Sequence, residues 1–402
     1  MNIILFDDPE IRPLLLPFTF TRPVAEIRVG IKTITEKWQA YMGAPVSFLT
    51  QAYLQKKYQA HTGAHTIYIN GAVCPDVNLV RSIRELSAGE AIYQNDTLLA
   101  YHAAQPEPIS LEELPQLPVK RRHEISGVTI VRELWEIFLF NGQQIRHDFK
   151  LVTAGRKSEP IADKHTIVYN EADIFIEEGV TIRAAVLNAE NGPIYIGKDA
   201  QVMEGAVIRG PFALGESSQV SMGAKIRGDV TVGPFSKVGG EVSASVIFGY
   251  TNKGHEGYLG NSVLGEWCNL GADTNTSNLK NNYAEVKIWS HAKGSFRNTG
   301  QQFCGLMMGD HSKCGINTMF NTGTVVGVSA NIFGAGFPRN FVPSFSWGGA
   351  AGFETFQIRK AFEVAEKVFG RRSKDLDEVE RAILTEVFNQ TQQYRVWEKG
   401  LV

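Results

Sequence analysis

The sequence has few cysteines for its length and almost no net charge. Four cysteines occur among 402 residues, at positions 74, 268, 304 and 314, and none belongs to a Cys-x-x-Cys pair. This scarcity argues against a disulfide framework and a structural zinc site, so we predict no metal ligands. The formal net charge of −2 gives no overall basic field, which argues against a protein that binds nucleic acid.

Long apolar runs are also missing. The N-terminal run MNIILF meets aspartates at positions 7 and 8, which makes it too short for the apolar core of a signal peptide. No run approaches the roughly 20 apolar residues that a membrane-spanning helix needs. We therefore expect a cytoplasmic protein whose partners are small molecules, with no membrane and no nucleic acid among them.

Residues 1–165 alternate short apolar runs with helical patterns. The runs MNIILF, VSFLT, TIYIN and AIYQND are typical of strands, and residues 31–42 and 79–86 are typical of helices. A stretch rich in proline and glutamate, 105–118, predicts an exposed connection, and residues 132–149 predict an amphipathic helix. This alternation predicts an α/β domain over residues 1–165.

The remaining chain contains two regions that differ in composition and pattern. Residues 172–345 are dominated by β-branched residues and glycine, whereas residues 353–402 carry helical patterns. Asp375 or Asp377 is expected to cap the second of two helices in this tail. The interpretation that we favour for the tail is packing or oligomerisation.

An aliphatic residue recurs at every sixth position in the middle region. The eight positions are Ile196, Val202, Ile208, Leu214, Val220, Ile226, Val232 and Val238. A fixed short period of this kind is typical of a parallel β-helix, here with three six-residue sides to each triangular coil. Residues eighteen apart should then stack, so Ile196, Leu214 and Val232 share one inner column. Ile208 and Ile226 share another.

The predicted coils also bring positive charges together. Arg209 and Arg227 are eighteen residues apart and should stack on adjacent coils, with Lys225 close by. Like charges about 5 Å apart repel each other unless solvent or an anion screens them. The arginines are therefore either a phosphate site or two solvated surface residues.

The six-residue period fails between Val242 and Leu264. A break in a solenoid predicts a loop that leaves the coil, and such loops commonly carry function. This one contains His255, flanked by glycines, with Tyr258 three residues on. Histidine titrates near pH 6.5, which suits a general base for amine attack on a thioester, although a lone loop histidine is more often incidental.

The next segment, NLGADTNTSNLKNNY at residues 269–283, is rich in Asn and Thr. Its side chains offer uncharged donors and acceptors to a sugar or an acyl carrier. They equally suit an asparagine ladder that caps the turns of a solenoid.

These segments resemble the acetyltransferase half of the bifunctional bacterial glucosamine-1-phosphate acetyltransferase and N-acetylglucosamine-1-phosphate uridylyltransferase family. The resemblance rests, at the family's spacing, on His255, Tyr258, Leu259, Gly260, Asn269, Gly271, Ala272 and Thr274. It implies a left-handed β-helix, a homotrimer and acetyl-coenzyme A as cosubstrate.

The resemblance also implies roles for single residues. His255 would be the catalytic general base. Sugar-phosphate binding is implied for Lys225, Arg227, Tyr258 and Asn269. Binding of the acyl-coenzyme A is implied for Ala272 and Asn278.

Three features depart from that family. Asp273 replaces a glycine, Leu279 replaces a tyrosine, and some twenty extra residues, about 284–307, precede the next coil. These departures leave the acceptor sugar and the acyl donor open.

The N-terminal region resembles a divergent nucleotidyltransferase-like domain of the type fused to such β-helices. Orthodox domains carry a glycine-rich phosphate loop after the first strand, whereas here no glycine appears before Gly30. Arg12, Arg22 and Arg28 are the residues that we expect to meet nucleotide phosphates instead. Mg²⁺ would accompany a nucleoside triphosphate.

The sequence therefore predicts a sugar-phosphate transferase. The β-helix would acetylate an amino-sugar phosphate, and the N-terminal domain would transfer a nucleotidyl group to a sugar 1-phosphate. One alternative is nucleotidyl transfer only, with a degenerate β-helix; another is a non-catalytic protein that binds nucleotide sugars. For the N-terminal half, the missing glycine-rich loop favours non-catalytic binding of nucleotide sugars. For the C-terminal half, the spacing around His255 favours acetylation.

Overall fold

The structure is a computed structural model that describes residues 2–63, 65–104 and 109–400. It divides into two compact units: residues 1–27 with 32–133, and residues 28–31 with 134–402. The helix expected at 132–149 is observed as Leu134–Thr153 and belongs to the second unit. The predicted boundary near residue 165 thus differs from the division into compact units, which falls at residue 133.

The first unit is built on a six-stranded sheet in the order β2-β1-β3-β5-β4-β6. Its strands are β1 (Asn2–Phe6), β2 (Ser47–Leu49), β3 (Thr66–Asn70), β4 (Glu90–Gln94), β5 (Thr97–His102) and β6 (Arg121–Glu124). Its α-helices are α1 (Ile34–Met42) and α2 (Val77–Arg84). The four predicted strands and both predicted helices are confirmed.

Strand β1 lies parallel to β2 and β3, and β5 runs antiparallel to β3 and β4. Within the predicted connection at 105–118, residues 105–108 lie outside the described part of the chain. The remainder forms a short 3₁₀ turn at Leu114–Gln116, where Leu114 is buried.

Local sequence explains how α1 is placed. Thr33 and Glu36 form a capping box, in which each side chain accepts a hydrogen bond from the backbone N–H of the other. Gly43 ends the helix with a φ of 67°, a left-handed conformation that glycine adopts without strain. The indole N–H of the buried Trp38 donates to the carbonyl oxygen of Val73 over 2.9 Å, which fixes the helix against the sheet.

The second unit opens with helix α3 (Leu134–Thr153) and continues as a solenoid of short strands. Up to the polar segment these are β7 (Ile167–Tyr169), β8 (Ile174–Ile176), β9 (Thr181–Ile182), β10 (Val186–Asn188), β11 (Ile194–Ile196), β12 (Gln201–Val202), β13 (Val207–Arg209), β14 (Phe212–Leu214), β15 (Gln219–Val220), β16 (Lys225–Ile226), β17 (Val230–Val232), β18 (Lys237–Val238), β19 (Glu241–Ser243), β20 (Val246–Gly249), β21 (Asn252–Lys253), β22 (Tyr258–Gly260), β23 (Val263–Glu266), β24 (Asn269–Leu270) and β25 (Asn275–Thr276).

The later strands are β26 (Lys287–Ser290), β27 (Ser295–Asn298), β28 (Met307–Met308), β29 (Lys313–Cys314), β30 (Met319–Phe320), β31 (Val325–Val326), β32 (Asn331–Ile332), β33 (Phe341–Val342), β34 (Ser346–Gly349) and β35 (Gly352–Thr355). Strands β26 and β27 form an antiparallel hairpin, and β35 pairs antiparallel with β34.

The solenoid has three faces, each a sheet in which strands of successive coils pair in parallel. The first face contains the six strands from β7 to β22, taken every third strand. The second face contains nine strands, from β8 to β33, and the third contains ten, from β9 to β35. This arrangement confirms the predicted parallel β-helix. Its left-handed winding stays a prediction from the resemblance.

The aliphatic repeat fills the interior as predicted. None of the eight repeat positions from Ile196 to Val238 is more than 2% exposed. Ile196 pairs with Leu214 and Leu214 with Val232, while Ile208 pairs with Ile226, so both predicted columns are confirmed. Burying these side chains supplies the hydrophobic stabilisation of the solenoid.

The prediction that the stretch from Val242 to Leu264 leaves the coil is wrong. Its strands, β19–β23, take up places on all three faces in turn. The period fails because the coils are shorter here: Ile226 pairs with Val242, sixteen residues on, and Val238 pairs with Lys253, fifteen residues on. The longest connection between these strands is residues 254–257, between β21 and β22.

The segment that does leave the coil lies further on, between β25 and β28. It contains the β26–β27 hairpin, and an isolated bridge between Leu279 and Phe303 closes its base. The predicted extra residues, about 284–307, fall within it.

The helical tail is confirmed as α4 (Ile358–Gly370) and α5 (Glu378–Gln390). Of the two candidate caps, Asp377 is the one observed, since its carboxylate accepts a hydrogen bond from the backbone N–H of Glu380 over 2.8 Å. Within the described residues, no helix is both long enough and apolar enough to cross a membrane.

Candidate active site

The first face of the solenoid carries an aligned row of polar side chains. Lys225 pairs with Glu241, and Glu241 with Tyr258, so the three residues occupy one outward position on successive coils. The Arg227 guanidinium lies 2.9 Å from the Glu241 carboxylate, and this contact raises the pKa of Arg227. The predicted basic pair thus reaches the same surface as Tyr258.

Tyr258 and Asn278 are joined by a direct hydrogen bond. The Asn278 amide N–H donates to the Tyr258 hydroxyl over 3.0 Å, and it also donates to the Asn261 amide oxygen over 2.8 Å. The Tyr258 hydroxyl lies 3.3 Å from the Ser243 hydroxyl. With these two hydrogen bonds donated by its side-chain NH₂ group, Asn278 keeps its side-chain oxygen as an acceptor.

His255 lies in the loop at residues 254–257, at the corner between the third and first faces. Its side chain is exposed, and its neighbour Glu256 lies 4.0 Å from the Lys225 ammonium. Gly257 has a φ of 115°, and a Cβ there would collide with the carbonyl oxygen of Thr274 on the next coil. The tight packing of this loop therefore requires glycine.

A buried lysine anchors the His255 loop from inside the solenoid. Lys253 occupies the inner column below Val238, where the repeat predicts an aliphatic residue. Its ammonium donates to the carbonyl oxygens of His255 at 2.7 Å, Glu256 at 3.2 Å and Gly239 at 3.3 Å. Burial lowers the pKa of Lys253 to about 8, and the nearby Glu256 carboxylate partly offsets this effect.

Ala272 and Asp273 form the corner of the next coil. The Asp273 N–H donates to the carbonyl oxygen of Glu256 over 3.1 Å, so this corner stacks directly on the His255 loop. Asp273 has a φ of 57°, which explains why it can stand where the resembling family has glycine, since aspartate tolerates the left-handed region.

Asn269 is not part of this cluster. It lies on the third face, where its amide oxygen accepts a hydrogen bond from the Asn252 amide over 3.0 Å. The structure therefore brings together Lys225, Arg227, Tyr258 and Asn278, with His255 and Ala272 at the adjoining corner, and separates Asn269 from them.

The arginines predicted to meet nucleotide phosphates are engaged inside the protein. The Arg12 guanidinium lies 3.2 Å from the Asp7 carboxylate and donates to the Thr19 carbonyl oxygen over 2.6 Å. Arg22 is only 5% exposed. Arg28 belongs to the second unit, where it donates to the carbonyl oxygen of Phe248 over 3.0 Å. Their role in phosphate binding stays a prediction.

The first unit has a cavity of about 370 Å³ at the carboxyl end of β1. Asp8, Glu10, Asp96 and Arg132 lie around it, and none of the three predicted arginines does. Arg132 donates to the Thr97 hydroxyl over 3.0 Å. In the described ranges 2–63, 65–104 and 109–400, no three His, Cys, Asp or Glu side chains are grouped as a metal site.

Comparisons with known proteins match parts of the chain. Residues 3–157 match the sugar nucleotidyl transferase family. The bifunctional sugar-1-phosphate nucleotidylyltransferase/acetyltransferase of Sulfurisphaera tokodaii is 36% identical over 144 residues, which cover 35% of each protein. The bifunctional protein GlmU of Methanocaldococcus jannaschii is 39% identical over 87 residues, covering 22% of this chain and 21% of the relative.

Among solved structures, the polySia specific acetyltransferase NeuO aligns with a TM-score of 0.27 and 15% identity, over 48% of this chain and 84% of that chain. The matched stretches span between a fifth and about a third of the two curated relatives. These partial matches confirm the predicted resemblance to bifunctional sugar-phosphate transferases.

Sequence reasoning missed Glu241, Ser243 and Lys253. The first two flank Val242, which takes the inward place two residues before the position that the six-residue period predicts, so the period did not place them. The sequence did not predict that Lys253 is buried. Once the coils shorten, an eighteen-residue period no longer assigns this position to the interior.

Proposed function

We propose that the first face and its corner loop form the site of an acetyl-coenzyme A-dependent acetyltransferase that acts on an amino-sugar phosphate. The observation that carries this proposal is the joining of Tyr258 to Asn278 and of Arg227 to Glu241 on one face, beside the His255 loop. Arg227, Tyr258, Asn278 and His255 match the resembling family one by one, whereas Glu241 is not part of that resemblance. Solvated surface side chains would not need these two side-chain pairs, each formed between residues of different coils.

In this proposal the basic side chains bind the phosphate and His255 moves the proton. Lys225 and Arg227 provide exposed positive charge for the phosphate group. His255 accepts a proton from the substrate amine. At the same time the amine nitrogen attacks the thioester carbonyl carbon. The carbon–sulfur bond breaks, coenzyme A leaves as the thiol, and the acetyl group is retained as an amide.

Lys253 and Asn278 position groups at the site and take no part in the proton transfer. Lys253 holds the two carbonyl groups of His255 and Glu256, which fixes the backbone that carries the base. The Asn278 carbonyl oxygen is left to accept a hydrogen bond from the acyl carrier or the sugar. A homotrimer, implied by the resemblance, would enclose the exposed His255, and light scattering in solution tests it.

The test is release of free thiol from acetyl-coenzyme A in the presence of glucosamine 1-phosphate. We expect turnover by the wild-type protein and a loss of about 10²- to 10⁴-fold in His255→Ala, the range for removal of a general base. His165→Ala is the matched control, because His165 is also an exposed histidine of the second unit. Equal rates for wild type and His255→Ala would refute the proposal.

A second candidate function, nucleotidyl transfer, is favoured by the cavity at the end of β1. Binding sites of α/β sheets commonly lie beyond the carboxyl ends of strands, and residues 3–157 match a sugar nucleotidyl transferase family. Mg²⁺ on a triphosphate needs only one or two protein carboxylates, which Asp8 and Glu10 can supply at the cavity rim.

This second function is tested by pyrophosphate release from a nucleoside triphosphate and a sugar 1-phosphate. Arg132→Gln should remove it while leaving thiol release unchanged. If no pyrophosphate appears but nucleotide sugars bind in calorimetry, the first unit is a binding domain without catalysis.

A further inference from the structure

The third face of the solenoid carries a second row of polar residues, which the proposed acetyltransferase site does not use. Lys237 pairs with Asn252, Asn252 with Asn269, and Asn269 with Lys313, so these four occupy one outward position on successive coils. Paired strands are about 4.8 Å apart, which places a lysine at each end of a two-asparagine segment.

The C-terminal helix α4 closes the other side of this row. Phe369 of α4 stacks on Trp267 with ring centroids 4.2 Å apart, and Trp267 stacks on Tyr250 at the same distance. Arg372, just after the helix, donates to the carbonyl oxygen of Phe235 over 2.8 Å. These contacts hold Arg371 and Arg372 opposite the lysines, around a cleft of about 380 Å³.

We call this the basic cleft, defined by Lys237, Asn252, Asn269, Lys313, Arg371 and Arg372. No carboxylate is among the residues that line it in the described part of the chain. The Lys313 ammonium donates only to a carbonyl oxygen, that of His311 at 2.8 Å, and burial lowers its pKa to about 8. Four cations around one cleft repel each other, and a bound anion would relieve that repulsion.

The asparagines provide neutral donors in the middle of the basic cleft. The Asn252 amide donates to the Asn269 side-chain oxygen, so the groups that Asn269 can offer to an anion are its amide N–H donors. Helix α4 offers a different explanation for Arg371 and Arg372, because cations are favourable near a helix C-terminus. That explanation does not account for Lys237 and Lys313, which belong to the solenoid.

We propose that the basic cleft binds a phosphate-bearing small molecule, with the phosphate between the lysines and the arginines and with Asn269 donating to it. Its volume falls in the range of small-molecule sites and suits a sugar phosphate or the phosphorylated end of a nucleotide. The site is separate from the first face and does not depend on acetyl transfer there. It also gives Asn269 a binding role, at a different place from the one that the family resemblance implies.

The test is titration calorimetry on the full-length chain at low salt with three probes: inorganic pyrophosphate, glucosamine 1-phosphate and adenosine 3′,5′-bisphosphate. We expect at least one probe to bind with a Kd below about 1 mM, and Lys237→Gln and Arg371→Gln each to weaken it about tenfold, as loss of a charge-assisted contact would. The preferred probe tells whether a sugar phosphate or a nucleotide is the natural type of ligand.

Two controls separate this cleft from the rest of the surface. Lys360→Gln removes an exposed cation from the same helix and should leave binding unchanged. Lys198→Gln removes an exposed cation from an earlier coil of the solenoid and should also leave it unchanged. Circular dichroism melting confirms that Lys237→Gln and Arg371→Gln remain folded. The proposal is overturned if no probe binds, or if Lys237→Gln and Arg371→Gln bind the probe as tightly as the wild type does.

Discussion

The two compact units place their charged side chains in different ways. In the first unit, Arg12 and Asp7 face each other in the interior, and Asp7 accepts further hydrogen bonds from Thr50 and from the Val24 N–H. In the solenoid, Lys225, Arg227 and Lys237 are displayed on its outer faces in the register of the coils. A charged residue in an irregular loop can thus be structural, whereas an outward position in a solenoid stays available for ligands.

Among the variants that test this contrast between the two units, Arg12→Met is expected to have the largest effect, and that effect is on stability. The substitution leaves the Asp7 carboxylate buried without its cation, and loss of one partner of a buried pair typically costs 3–5 kcal/mol. Burial already raises the pKa of Asp7, which Arg12 partly offsets. We expect the free energy of unfolding of the first unit to fall by about 3 kcal/mol. Urea titration with hydrogen-exchange mass spectrometry of β1 measures it.

Arg81→Met is the matched control, because Arg81 is an exposed arginine of α2 and its loss should change stability little. The opposite result would be a stable Arg12→Met protein that no longer binds nucleotide. That result would show that Arg12 serves a ligand and would remove the contrast between the units.

A second prediction concerns the hydrogen bond between Tyr258 and Asn278. Asn278→Ala and Tyr258→Phe should each lower the rate of thiol release about tenfold, the kinetic equivalent of about 1.4 kcal/mol. The double variant should lose less than the product of the two, since both changes remove the same contact. Asn331→Ala, on the third face, is the control. Fully multiplicative losses would show that the two side chains act independently.

The sequence predicted the interior of the solenoid better than its surface sites. Ile196 to Val238 recur because every coil needs an aliphatic filler, so the period itself encodes their burial. The face on which Asn269 lies was not predictable in this way, because the coils shorten after Val238 and motif spacing then no longer fixes a face. The partners of Arg12 are Asp7, Thr19 and Tyr53. The first two are near in sequence but lie in irregular segments, and Tyr53 is 41 residues away, so no repeating pattern predicts these contacts.

A smaller effect is predicted for the pH dependence that Lys253 contributes. Its pKa is about 8 in the folded protein, below the ordinary value of 10.5, so the unfolded chain binds more protons between these two pH values. Stability contributed by this group therefore rises as the pH increases from about 8 to about 10. The thermal midpoint of the wild type should gain more over this range than that of Lys253→Met.

The same variant tests whether Lys253 positions the His255 loop. Without its ammonium, amide exchange in residues 254–257 should become faster, while the loop in the Lys237→Met control should be unchanged. An identical pH profile and identical loop exchange in wild type and Lys253→Met would contradict both statements.

The smallest effect is expected at the exposed contact between Lys225 and Glu256. Their charged groups are 4.0 Å apart and both side chains are more than half exposed, so the pair adds little to stability and its loss should leave the thermal midpoint unchanged. It should matter for binding, since the Glu256 carboxylate competes with a substrate phosphate for Lys225. Glu256→Gln should therefore lower the KM for the sugar phosphate about twofold at low salt, and Lys225→Gln should raise it. If both variants shift KM in the same direction, the first face does not bind phosphate through Lys225, and its outward charges are structural like those of Arg12.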